Sequence, residues 1–278
     1  MTISRFINLT ITMKKTLFII GAFLLAQVIV GLCIALSIML LAASRGETIT
    51  ESMKPGSTDI LVALLVSDII VIVATILICR KGFAEPFRWK MPVKGGLLAT
   101  GLSIVGILAL ATLMEALSEW LNLPDYMADT FKDLSVNPLA LWSIALIGPL
   151  AEEVACRYGI TGSLMETRKL PIWAVIVISA LIFGLLHMNP AQMLVAFIVG
   201  IFLGWLYVVT RSIWPCLVCH AVNNAVGVIM MQQSNEDVRL ADFIGNNTLF
   251  IAVLCGSAVV FVLVVTAISR LTRSFPPN

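Results

Sequence analysis

AQMLVAFIVGIFLGWLYVVT, residues 191–210, carries no charged side chain over the length a helix needs to cross a bilayer. That length is about 20 apolar residues. Gly200 and Gly204 form a Gly-x-x-x-Gly pair within it, where small residues let helices approach closely. The pattern is common and reads as packing. Working outward, further apolar runs occupy 17–43, 59–79, 96–117, 137–156, 171–188, 213–232 and 248–268, so the chain reads as an all-α polytopic membrane protein with about eight spans. The first run is far longer than the apolar core of a cleavable signal, about 7–15 residues, and reads as a retained helix.

Composition points the same way. The 278 residues are 59% hydrophobic and 12% charged, with a mean hydropathy of +1.01. Soluble domains carry about 25% charged residues, so this chain has too little polar surface to cover a globule in water. A net charge of +2 offers nothing to nucleic acid. The six cysteines lie in or beside apolar runs and read as free thiols.

Basic residues should concentrate in cytoplasmic loops. With the N-terminus inside, thirteen fall on that side: Arg5, Lys14, Lys15, Arg80, Lys81, Arg88, Lys90, Lys94, Arg168, Lys169, Arg211, Arg270 and Arg273. Four fall outside, at Arg45, Lys54, Lys132 and Arg239. The expected topology has both termini cytoplasmic, in the cell membrane if the source is a prokaryote. Residues 1–136 form an N-terminal unit of three spans, 137–232 a core of four, and 233–278 a final span and tail. A polar stretch from Leu121 to Asn137, with Asp125, Asp129 and Asp133, suits a short amphipathic helix at the outer interface.

Ionisable groups inside a membrane cost about 2.5–3.5 kcal/mol each on insertion scales, so they are functional candidates. Here they gather in three neighbouring spans. Glu152, Glu153 and Arg157 lie in the fourth, Phe183 and His187 close the fifth, and His220, Asn223 and Asn224 lie in the seventh. Glu153 and Arg157 are four apart and can pair on one helix face, while Glu152 is turned about 100° from Glu153. Phe183 sits one turn before His187 and can wall the same pocket. Glu152 precedes Arg168 by sixteen residues and His187 follows Pro171 by sixteen, which puts Glu152 and His187 at similar depth. His220, nine residues past Arg211, matches that depth less well. The structural alternative is a buried ion pair joining two helices, with the histidines as satisfied core residues.

The series Glu-Glu-x-x-x-Arg, Phe-x-x-x-His and His-x-x-x-Asn resembles the motifs of the CPBP intramembrane peptidases, the group of type II CAAX prenyl endopeptidases and bacteriocin-processing Abi proteins. The resemblance covers residues 137–232. It implies Glu152 as the base that activates water, with Glu153 and Arg157 supporting it. It implies His187 binding that water, and His220 with Asn224 as an oxyanion hole. A desolvated carboxylate suits general-base work near neutral pH, and donors aimed at an oxyanion are worth about 2.7–4 kcal/mol each in a dry site. The implied partner is a membrane-associated peptide or protein, lipidated or prenylated substrates included.

No cofactor is expected; the alternative is zinc on Glu152, His187 and His220, although the His-Glu-x-x-His pattern is absent. Cys216-Leu217-Val218-Cys219-His220 matches the c-type haem attachment pattern, but inside an apolar span. Asp68, in the second span, is the residue best suited to a proton-coupled transporter; its bland reading is a hydrogen bond between packed helices. A catalytically idle immunity or scaffold protein is the remaining alternative.

Overall fold

The computed structural model describes residues 3–45, 55–79, 95–167, 169–233 and 244–273, and among these there is no β-strand. The helices are α1 (Ile3–Arg45), α2 (Ser57–Cys79), α3 (Gly96–Leu121), α4 (Ala128–Ser135), α5 (Ala140–Glu166), α6 (Ile172–Leu185), α7 (Pro190–Thr210), α8 (Trp214–Gln233) and α9 (Asn247–Thr272). Arg80, Lys81, Arg88, Lys90, Lys94, Arg168, Lys54 and Arg239, which carry much of the expected charge bias, lie outside the described residues.

Eight apolar runs become six helices long and apolar enough to cross a membrane: Thr12–Ser44 of α1, then α2, α3, α7, α8 and α9. The other two runs depart from simple spans. α5 is joined to α4 with a bend of 116°, and the two pass as one broken span. α6 has 14 residues, about 21 Å at 1.5 Å per residue, against about 30 Å of hydrocarbon. Its run is cut short by the turn His187-Met188-Asn189-Pro190. Met188 takes a left-handed φ of 49°, and Asn189 is extended at φ −132°, as a residue before proline prefers. Pro190 then opens α7, where it forfeits no helical hydrogen bond.

The short amphipathic helix between the third and fourth runs is present as α4. Its connector is pinned to the α6–α7 turn, because Asn189 Nδ2 donates to Asp125 Oδ1 at 2.8 Å and Tyr126 N donates to Asn189 Oδ1 at 3.1 Å. At the same end of the bundle Asn137 Nδ2 donates to Ser57 Oγ and Thr58 Oγ1, and Gln232 Nε2 donates to Ser135 O. The start of α2 and the ends of α3, α6 and α8 therefore share one end, as alternating passes require.

Two apolar clusters flank α5. One joins α3, α7, α8 and α9 through Ile107, Phe202, Leu203, Cys219 and Val264; the other joins α1, α2 and α6 through Ile19, Val71, Val175 and Phe183. α5 supplies Val154 to the first and Ala151, Ala155, Cys156 and Ile160 to the second. Close approach rests on glycine. A methyl placed on Gly159 would stand 2.9 Å from Ile19 Cδ1 and 3.0 Å from Thr75 Cγ2. The Gly-x-x-x-Gly pair does what its spacing suggested: Gly200 lies under Ala180 and Phe183, and Gly204 under Ile176, so α6 seats directly on α7.

α5 is not a uniform α-helix. It widens to π-helical turns over Ser143–Ile147 and Val154–Thr161. Such turns disturb the i→i−4 ladder and recur at functional sites. Here side chains take up the displaced carbonyls. Thr161 Oγ1 donates to Cys156 O at 2.9 Å and Ser179 Oγ to the same oxygen at 3.4 Å. Asn224 Nδ2 of α8 donates to Ile144 O at 3.1 Å.

Candidate active site

The second widened turn begins immediately after Glu152 and Glu153 and contains Arg157. Glu153 and Arg157 are fully buried, and Arg157 Nε lies 3.1 Å from Glu153 Oε2. The expected four-residue pairing therefore forms despite the altered helix. It is a charge contact rather than an aligned hydrogen bond, since neither atom makes one. Both Nη atoms of Arg157 are buried without a hydrogen-bond acceptor among the described residues. What covers the guanidinium is Phe183: Arg157 Cζ lies 4.7 Å from the ring centroid, a cation–π contact of a kind that strengthens when desolvated.

Phe183 also packs edge-on against both histidines, with centroid separations of 5.0 Å to His187 and 5.7 Å to His220. It is the common neighbour of Arg157, His187 and His220, which come from three helices or their ends.

His220 is the centre of the cluster. Its Nδ1 lies 3.0 Å from Glu153 Oε1 and its Nε2 lies 3.4 Å from Glu152 Oε2. This differs from the depth argument, in which Glu152 meets His187. No hydrogen bond or ion pair joins Glu152 to His187 among the described residues. α6 ends at Leu185, leaving His187 in the turn beyond it, while α8 packs along α5 and carries His220 inward. Nor do the two glutamates diverge as their 100° offset suggested. The two nitrogens of an imidazole point in different directions, so side chains on different bearings of α5 each reach one.

Proton positions follow from these contacts. A carboxylate only accepts, so His220 Nδ1 carries hydrogen toward Glu153. The Nε2–Glu152 contact is attractive only if a further proton lies on one of the two. With it, Glu152, Glu153, Arg157 and His220 sum to zero charge, which is how buried ionic groups are tolerated. His187 Nδ1 faces Phe183 O at 2.9 Å. A carbonyl also only accepts, so this nitrogen bears hydrogen and a neutral His187 leaves Nε2 as an acceptor. Asn224 spends one N–H on Ile144 O and its Oδ1 accepts from Asn223 Nδ2 at 3.3 Å, which leaves its second N–H.

Exposure separates the two glutamates. The side chain of Glu152 is 23% exposed and that of Glu153 is 0% exposed. Glu153 is locked between Arg157 and His220, whereas Glu152 can meet a small molecule.

Zinc on Glu152, His187 and His220 would require the three to converge. They do not, and the described residues contain no group of three His, Cys, Asp or Glu side chains able to hold a metal ion. Cys216 and Cys219 form no disulfide and are fully buried. Cys216 Sγ contacts Leu203 O at 3.2 Å, and His220, the third residue of the haem-type pattern, is already held by the glutamates.

Two contributors were missed by sequence reasoning. Gly200 lies against Phe183, where a methyl would stand 3.0 Å from its Cδ1. Asp68, read as a helix-packing hydrogen bond, makes none among the described residues; its only signal was an isolated acid in an apolar helix.

A partly exposed carboxylate thus lies beside a locked Glu–Arg–His cluster inside the bundle, and the sequence comparisons show similarity to membrane peptidases. Residues 134–226 match the family described as type II CAAX prenyl endopeptidase Rce1-like. Within the same class, the chain is 32% identical over 93 residues to the "Putative membrane peptidase YdiL" of Bacillus subtilis (strain 168). That alignment covers 34% of this chain and 37% of the relative, so the chain spans little more than a third of the relative's length. No solved structure matches the chain.

Proposed function

We propose that the protein is an intramembrane endopeptidase that hydrolyses a peptide bond of a membrane-associated substrate through water activated by Glu152. The observation that carries this reading is the asymmetric pair of glutamates on one histidine: Glu153 fully buried and pinned, Glu152 partly exposed.

In this reading Glu152 takes a proton from water as the water oxygen bonds to the scissile carbonyl carbon. The carbonyl π electrons move onto oxygen, where the second N–H of Asn224 is free to donate and a hydrogen on His220 Nε2 can be shared between Glu152 and the oxyanion. Collapse of the tetrahedral intermediate breaks the C–N bond, and the proton held by Glu152 passes to the leaving nitrogen. His187 Nε2 is left as an acceptor beside the pocket and can take a hydrogen bond from the N–H of the scissile amide. Arg157 and Phe183 hold the charge and shape of the cluster without touching substrate. The chemistry is general-base catalysis with oxyanion stabilisation, and the chain's own residues complete the proton inventory.

The membrane setting and the similarity of the core to CAAX prenyl endopeptidases favour lipid-anchored peptides as substrates. A lipid-anchored peptide is delivered to a bilayer by its own acyl or prenyl chain, so farnesylated C-terminal peptides are the first class to test, with unlipidated peptides of the same sequence as comparison. The experiment is incubation of purified protein in proteoliposomes with both sets and mass mapping of the products. Cleavage at one bond of the lipidated peptides supports the reading; absence of cleavage across both sets removes it.

A further inference from the structure

Asp68 lies on the packed face of α2, with Leu61, Val71 and Thr75, and is 9% exposed. A buried carboxylate in an apolar helix calls for a counter-charge or hydrogen-bond donors. Asp68 has neither among the described residues. What it faces is α5. A methyl placed on Gly148 would lie 3.7 Å from Asp68 Oδ2, and Gly148 is four residues, one helical turn, before Glu152. Asp68 and Glu152 therefore stand about one helical turn apart along the α2–α5 interface. Glu152 Oε2 is itself without a hydrogen bond. Two carboxylates, from two helices, thus have unfilled acceptor capacity on one stretch of the α2–α5 interface.

We propose that Asp68 is a positioning residue of the active site, holding with Glu152 the water that Glu152 activates. A water between two acceptors donates one hydrogen to each. Its oxygen lone pairs then point away from both, toward an incoming carbonyl carbon. Asp68 takes no part in bond making; it fixes the direction of the O–H that Glu152 does not abstract. Glycine at 148 belongs to the same device, because a side chain there would fill the space in front of the Asp68 carboxylate. This role rests on the peptidase reading, but the pairing of Asp68 with Glu152 does not.

The test uses the full-length protein with Asp68→Asn, Asp68→Leu and, as a control on the same helix, Ser67→Ala. Asp68→Asn and Asp68→Leu should lower kcat by about 10- to 100-fold, the usual effect of removing a supporting partner, with KM unchanged and Ser67→Ala at wild-type activity. Thermal stability should be unchanged or raised in Asp68→Leu, because an unpaired buried acid is removed. A purely structural residue would show the opposite, lower stability with normal kcat in the folded fraction, and that result overturns the proposal. A second readout needs no substrate: labelling of Glu152 by dicyclohexylcarbodiimide, read by peptide mass spectrometry against the exposed Asp129. Asp68→Asn should change the rate at Glu152 several-fold and leave Asp129 unaffected; an unchanged Glu152 rate overturns the proposal. If wild type cleaves no peptide while Glu152 labelling still responds to Asp68, the pairing stands and the peptidase reading is what fails.

Discussion

Replacing Arg157 by methionine isolates the energetics of the cluster. The guanidinium and the Glu153 carboxylate are both fully buried and 3.1 Å apart, so neither is screened by water. Methionine keeps much of the stem's volume but leaves Glu153 with only His220 as counter-group. Removing one member of a buried pair costs about 3–5 kcal/mol. For a chain this long, 1 kcal/mol moves the melting midpoint by about 2–4 °C, so Arg157→Met should melt about 6–20 °C below wild type. The double variant Arg157→Met with Glu153→Gln removes both charges. Replacing a whole buried pair by neutral groups is often near neutral, so the double variant should recover most of the loss. The assay is thermal unfolding in one detergent, with the four proteins of the cycle measured together. A single variant within about 1 kcal/mol of wild type, or a double variant as unstable as the sum of the singles, would refute the claim that the two charges depend on each other.

Two further variants probe the pocket. In Gly200→Ala the new methyl would stand 3.0 Å from Phe183 Cδ1 and 3.2 Å from the Ala180 backbone; overpacking of this kind costs about 1–3 kcal/mol, and displacement of Phe183 should lower peptide cleavage beyond the loss of folded protein, measured by activity per folded molecule. Asn224→Ala removes an oxyanion donor and the bond to Ile144 O; kcat should fall about 10²–10³-fold with a smaller change in KM, and a normal kcat in steady-state assays would take Asn224 out of the oxyanion hole.

Much of the architecture was legible because lipid imposes strong rules. Apolar length marked the helices that became α1, α2, α3, α7, α8 and α9, and the polar residues in the remaining runs marked the site. The two runs that carry Glu152, Glu153, Arg157, Phe183 and His187 are the ones that depart from simple spans. There the chain departs from regular helix: α5 widens into π turns and bends against α4, and α6 stops at the Met188 turn. Hydropathy reports how apolar a segment is, not where its hydrogen-bond ladder slips. The Glu153–Arg157 pair and the Phe183–His187 contact were readable because four-residue spacing is local. Which histidine meets which glutamate was not, because it depends on how α8 leans on α5. Asp68 stayed ambiguous for the same reason, since only the packing of α2 on α5 sets it opposite Gly148 and Glu152.

The central claim is that Glu152 activates water for peptide hydrolysis without help from a metal. The most direct measurement compares purified wild type with Glu152→Ala on quenched lipidated and unlipidated peptides, each with and without a chelator. Cleavage by wild type that survives chelation and falls at least about 10²-fold in Glu152→Ala is the expected result. Equal cleavage by Glu152→Ala would contradict the assigned base, and cleavage lost on chelation and restored by zinc would contradict the metal-free mechanism.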